Sequence, residues 1–112
     1  MKANELMIGN YLMELTSNDI FQVSESYYQA LNVNLECSRP IPLTEQWLLD
    51  FGFEYELGNC WQNWTRISLQ KVGVCYLVDF DNVTMIGINY VHQLQNLYFS
   101  LTGNHLHLVA PK

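Results

Sequence analysis

Apolar and polar residues alternate in three stretches near the start of the chain. Met7, Tyr11, Met13 and Leu15 alternate with Ile8, Asn10, Leu12 and Glu14; Phe21, Val23 and Tyr27 alternate with Gln22, Ser24 and Ser26. Leu31, Val33, Leu35 and Cys37 alternate with Asn32, Asn34 and Glu36. A period of two sends successive side chains to opposite faces of a strand, so the pattern predicts a three-stranded antiparallel meander with one wet face. Thr16–Asp19 supplies turn chemistry between the first two strands. Arg39-Pro40-Ile41-Pro42 then reads as an extended connector, because its two prolines remove two ladder donors.

The period changes after the prolines. Thr44 is placed to cap a short helix, with Glu45 in its first turn, Leu43 and Leu48 spaced as a hydrophobic staple, and Gly52 as a stop after Phe51. Phe53, Tyr55 and Leu57 alternate with Glu54 and Glu56, a half-exposed strand ending at Gly58-Asn59. Thr65–Gln70, Val72–Phe80 and Val83–Ile88 are strand-like, with turns at Lys71–Gly73 and Asp81-Asn82. The apolar run Val74–Val78 marks the most central strand. A closing strand is expected where Leu106 and Leu108 alternate with His105 and His107.

Tyr90–Gly103 predicts the longer helix. Asn89 serves as N-cap, Gly103 as the left-handed C-cap, and Tyr90, Val91, Leu94, Leu97, Tyr98 and Leu101 fall on one stripe at helical spacing. His92, Gln93, Gln95, Asn96 and Ser100 occupy the remaining surface, and Phe99 breaks the pattern by projecting among them. The expected fold class is therefore α+β: antiparallel strands in an N-terminal meander and a second hairpin region, with one short and one longer helix packed on the sheet. A chain of 112 residues fits a single domain, residues 1–112.

Composition narrows the function classes. Apolar residues make up 49% of the chain and aromatic residues 13%, which supports a packed core over disorder. The net charge of −6 is carried by eleven acids against Lys2, Arg39, Arg66, Lys71 and Lys112. Without a basic patch no nucleic-acid partner is expected. No apolar run approaches the roughly 18 residues of a membrane span, and the N-terminus lacks a signal-peptide core, so no membrane partner and a cytoplasmic location are expected. Cys37, Cys60 and Cys75 are odd in number and form no CxxC pair, which reads as reduced, mostly buried thiols.

No arrangement of residues compels a catalytic reading. His105 and His107 share a strand face but lack a third ligand nearby in sequence, so no metal or cofactor is expected. Asp79 with Asp81, and Glu54 with Glu56, have the spacing of a carboxylate pair, yet nothing adjacent would push one carboxyl toward neutral pKa. GxSxG, HExxH and phosphate-cradling glycine loops are missing from the sequence, and a non-enzymatic protein is expected. Two sets of residues are candidates for binding. His92, Gln95, Asn96 and Phe99 would form a contact strip for a second copy of the chain or another protein, with Phe99 as anchor. Trp61, Asn63, Trp64 and Arg66 would stack a planar small molecule, hydrogen-bond its edge and meet a phosphate or carboxylate.

Three segments carry a family likeness. MKANELMIGNYL at the start, PLTEQWLLDFGF at Pro42–Phe53 and VHQLQNLYFSLTG in the longer helix resemble short proteins encoded in phages, prophages and mobile elements of Bacteroidota. The chain departs from their pattern at Met7, where a basic residue is expected, and at Asn104 and His105, where acids are. The likeness brings no activity with it. It implies a phage or mobile-element accessory protein in a bacterial host cell, and with the contact strip on the longer helix the expected role is protein–protein contact, including self-association. The alternatives are a small-molecule binder, such as an anti-defence protein that sequesters a nucleotide signal, and an enzyme with no recognisable motif.

Overall fold

The computed structural model describes residues 5–56, 60–62, 67–81 and 83–109, with residues 32, 33 and 83–86 described as backbone alone. In chain order the elements are β1 (Tyr11–Glu14), β2 (Ile20–Gln22), α1 (Glu25–Gln29), α2 (Leu31–Glu36), β3 (Ser38–Pro40), α3 (Glu45–Asp50), β4 (Glu54–Glu56), β5 (Cys60–Gln62), β6 (Ile67–Val72), β7 (Cys75–Phe80), β8 (Val83–Ile88) and α4 (Val91–Thr102). The strands form two antiparallel sheets, one in the order β2-β1-β3 and one in the order β4-β5-β6-β7-β8. The fold is α+β.

The N-terminal meander is revised in its third member. Leu31–Cys37 was expected to be a strand, but Leu31–Glu36 is the helix α2. Leu31 and Leu35 satisfy both periods, being two pleats apart on a strand and one turn apart on a helix, and here they pack as a helical pair against Leu6, Leu12, Val23 and Tyr27. Asn34 fixes the bend between the helices by donating its Nδ2 to the Tyr27 carbonyl at 2.8 Å. The strand expected over Phe21–Tyr27 likewise stops early, and Tyr27 lies in α1.

The third place in the small sheet goes to Ser38–Pro40, part of the segment expected to be a connector. Pro40 is compatible with a ladder because β3 is an edge strand, where a missing donor need not face a partner. β1 lies between β2 and β3 and is covered on both faces. Tyr11 and Met13 pack on the main core, while Leu12, expected on the wet face, is fully buried in the second cluster.

The remainder follows local signals closely. The Thr44 hydroxyl accepts the Trp47 N–H at 3.4 Å, Leu43 and Leu48 are both buried, and Gly52 follows the helix with φ of 94°. β6, β7 and β8 form where strands were expected, but β6, and not the strand carrying Val74–Val78, lies in the middle of the five-stranded sheet. Val74 itself is in the β6–β7 turn and 95% exposed. Leu57, the Gly58-Asn59 turn and Asn82 lie outside the described residues. The closing segment joins no sheet among the described residues; Leu106 is buried, His105 and His107 are exposed, and Val109 donates its N–H to the Asp50 carbonyl at 2.7 Å. The thiols are less buried than expected, since Cys37 is exposed and Cys60 and Cys75 are half-buried.

α4 lies across the larger sheet through Val91, Leu94 and Tyr98, with Leu97 and Leu101 packed at the margin. Its N-cap is Tyr90, one residue later than expected, because the Gln93 side chain reaches back to accept from the Asn89 and Tyr90 N–H groups at 2.8 and 3.1 Å. Gly103 ends the helix at φ 75°, where an added Cβ would meet nothing within 4 Å, so backbone conformation alone selects glycine. Gly103→Ala is therefore expected to lower stability by about 1 kcal/mol and Gly103→Asn by less, read from denaturant midpoints.

Candidate functional site

The polar face of α4 is the best-built candidate, and its side chains are held by the segment Glu5–Tyr11. That segment turns at Gly9, whose N–H donates to the Val23 carbonyl at 2.8 Å, and the Val23 N–H returns a bond to the Asn10 carbonyl at 2.8 Å. β1 is thereby anchored to β2 before it reaches α4. Gln95 accepts the Tyr11 N–H through Oε1 at 2.8 Å and donates Nε2 to the Gly9 carbonyl at 3.0 Å. Asn96 donates Nδ2 to the Glu5 carbonyl at 2.6 Å, and its Oδ1 accepts from Asn10 Nδ2 at 2.8 Å. Asn10 Oδ1 accepts the Met7 N–H at 2.7 Å. Backbone partners fix the orientation of each amide, since an N–H needs an oxygen and a carbonyl needs an NH₂.

Two of the four residues of the expected contact strip, Gln95 and Asn96, are thus engaged within the chain. Phe99 is half-buried, its ring 4.7 Å from that of His105 at an interplanar angle of 31°. An aromatic residue on the polar face of α4 has a partner in the segment that follows the helix. His92, the fourth member, is only 2% exposed, and neither Nδ1 nor Nε2 has a hydrogen-bond partner among the described residues. Its ring stacks on Tyr90 at 6.0 Å with an interplanar angle of 16°. Burial lowers the His92 pKa from the usual 6.5 by removing the water that would solvate the imidazolium, and the Glu5 carboxylate opposes this.

A cavity of about 280 Å³ opens beside His92. Glu5, Gln93, Asn96 and Ser100 supply its polar wall, and Ile88 and Leu97 its apolar one. Sequence spacing had grouped His92 with Asn96 but gave no signal for Glu5, because the two parts of this wall lie at opposite ends of the chain.

The second candidate set is dispersed. Trp61 lies in the main core at 3% exposure, in register with Tyr55 and Leu69, and Tyr55 stands edge-on to it at 5.0 Å. Asn63, Trp64 and Arg66 lie outside the described residues. Asp79 is half-buried in β7 opposite Ser68 and Thr84, whereas Asp81 is in the following turn at φ 54°. Glu54 and Glu56 lie on the exposed strand β4. Among the described residues, no three His, Cys, Asp or Glu side chains come together as a metal site, and no helix is long and apolar enough to cross a membrane.

No family model, no curated protein and no solved structure matches the chain.

Gln95→Ala would leave the Tyr11 N–H without its acceptor beneath α4. It is expected to lower stability by about 2 kcal/mol, measured by denaturant unfolding. His92 gives a pH signature of known sign. With a folded pKa below 6.5, the unfolded state binds the proton more tightly, so stability is full above 6.5 and is lost as pH falls toward the folded value. Melting temperatures taken from about pH 7.5 down to about 5 should decline in the wild type and decline less in His92→Leu.

Proposed function

We propose that this chain is a non-enzymatic protein of a phage or mobile element that acts by protein–protein contact, first of all with a second copy of itself, through the open edge of β8. The observation that carries this reading is the contrast between the sheet edges. β4, at one end of the larger sheet, carries Glu54 and Glu56. The edges of the smaller sheet are three residues long, and β3 includes Arg39 and Pro40. Short length, charge and proline each discourage an edge from pairing with another chain.

β8 has none of these. It runs for six residues, Val-Thr-Met-Ile-Gly-Ile, without charge or proline, and among the described residues it pairs with β7 alone. An antiparallel pair of such edges is self-complementary about a two-fold axis, and the acidic β4 edge at the far end of each sheet stops growth at two copies. The phage or mobile-element setting rests on the resemblance carried by the N-terminal, central and α4 segments.

Thr84→Lys tests the edge. Position 84 is in register with Asp79 across the β7–β8 ladder, so a lysine there adds no like charge to the pair. Sedimentation equilibrium over a concentration series should show a wild-type dimer, and Thr84→Lys should shift it to monomer while the circular dichroism spectrum stays that of the folded chain. A wild type that stays monomeric across the series would overturn self-association.

A further inference from the structure

We infer that the cleft between α3 and the β6–β7 end of the larger sheet is a binding site for a small zwitterion, an α-amino acid with an apolar side chain. Three observations carry this. The first is a buried hydroxyl. Tyr76 is 2% exposed and its phenol oxygen has no hydrogen-bond partner among the described residues, yet the residue lines a cleft of about 570 Å³. Buried polar atoms are nearly always bonded, and the described part of the fold supplies no bond here. Burial raises the Tyr76 pKa above its usual 10, and the Glu45 carboxylate raises it further, so at neutral pH the phenol keeps its proton and can donate it to an acceptor.

The second observation is the lysine beside it. Ile67, Leu69 and Lys71 share one face of β6, and the first two are buried in the main core. Lys71 therefore stands at a core-facing position, directly across the ladder from Tyr76, at an end of the strand where its side chain is exposed. A phenol O–H and an ammonium on neighbouring strands can both donate to one carboxylate.

The third is the opposite wall. Glu45, in the first turn of α3, brings a carboxylate to the same lining. An acid there works against a simple anion, and against phosphate most of all, in a chain whose net charge is −6. A zwitterion suits both walls, its carboxylate turned toward Lys71 and Tyr76 and its ammonium toward Glu45. Leu43 and Leu49, the latter 48% exposed, add apolar surface for a hydrocarbon side chain. Lys71 and Glu45 are both exposed, so their side chains can turn aside and admit the ligand to the hydroxyl.

The test uses the full chain labelled with ¹³Cζ-tyrosine, the Tyr76 signal being identified by its loss in Tyr76→Phe. L-Leucine should move that signal saturably. Three compounds should each bind about tenfold more weakly or worse: 4-methylpentanoate, which is leucine without its ammonium, 3-methylbutylamine, which is leucine without its carboxylate, and inorganic phosphate. Lys71→Gln, at an exposed position, should weaken leucine binding about tenfold or more while its circular dichroism spectrum stays that of the wild type. Tyr76→Phe removes the unpartnered hydroxyl, so it should melt no lower than the wild type and still lose about tenfold or more in leucine affinity by calorimetry. An unmoved Tyr76 signal, an equal response to any of the three comparison compounds, or undiminished binding by either variant would overturn the site. So would a Tyr76→Phe that melts well below the wild type, because the hydroxyl would then have its partner within the fold.

Discussion

Two carboxamides on one helix determine how the rest of the molecule is arranged. Gln95 and Asn96 hold the segment Glu5–Tyr11 against α4 through bonds to Gly9, Tyr11, Asn10 and Glu5. β1 is thereby placed so that Tyr11 meets Trp47 and Phe51, with ring centroids 5.4 and 6.3 Å apart, and joins the main core. Its other side chain, Leu12, seals the second cluster under α1 and α2. Apolar contact is indifferent to register, whereas a backbone N–H and carbonyl bonded to one amide are not. The small sheet therefore meets the large one in one register.

Legibility in the sequence followed the range of the interactions. α3 and α4 were readable because their signals lie within a few residues: Thr44 with Trp47, Gly52 after Phe51, and Gly103 after an apolar stripe. The N-terminal third was not. Leu31 and Leu35 obey two periods equally, and what decides between them is that Ser38–Pro40 occupies the place beside β1. The alternation of Tyr11, Leu12 and Met13 was seen, but not that both faces would be covered. Phe99 was the one misfit on α4, and its ring meets that of His105 in the segment after the helix. Nothing local could have linked Asn96 to Asn10, which are 86 residues apart.

The two ends of the larger sheet are treated differently. The β4 edge carries alternating glutamates with Tyr55 between them shielding Trp61, while β8 carries uncharged residues and leads directly into α4 through Asn89 and Tyr90. The cavity beside His92 lies at this same end, bounded by Gly87 and Ile88. The last strand of the sheet and a buried imidazole without a hydrogen-bond partner among the described residues are thus neighbours.

The amide clasp also bears on synthesis. A ribosome releases Gly9, Asn10 and Tyr11 long before Gln95 and Asn96, which follow 84 to 86 residues later. The hairpins β4 through β8 close over short loops and have their partners at hand as they emerge, whereas closing so long a segment carries a larger entropy cost. Until α4 is released, the Tyr11 N–H and the Gly9 and Glu5 carbonyls lack their helix partners. Backbone groups made early thus wait for side chains made near the end.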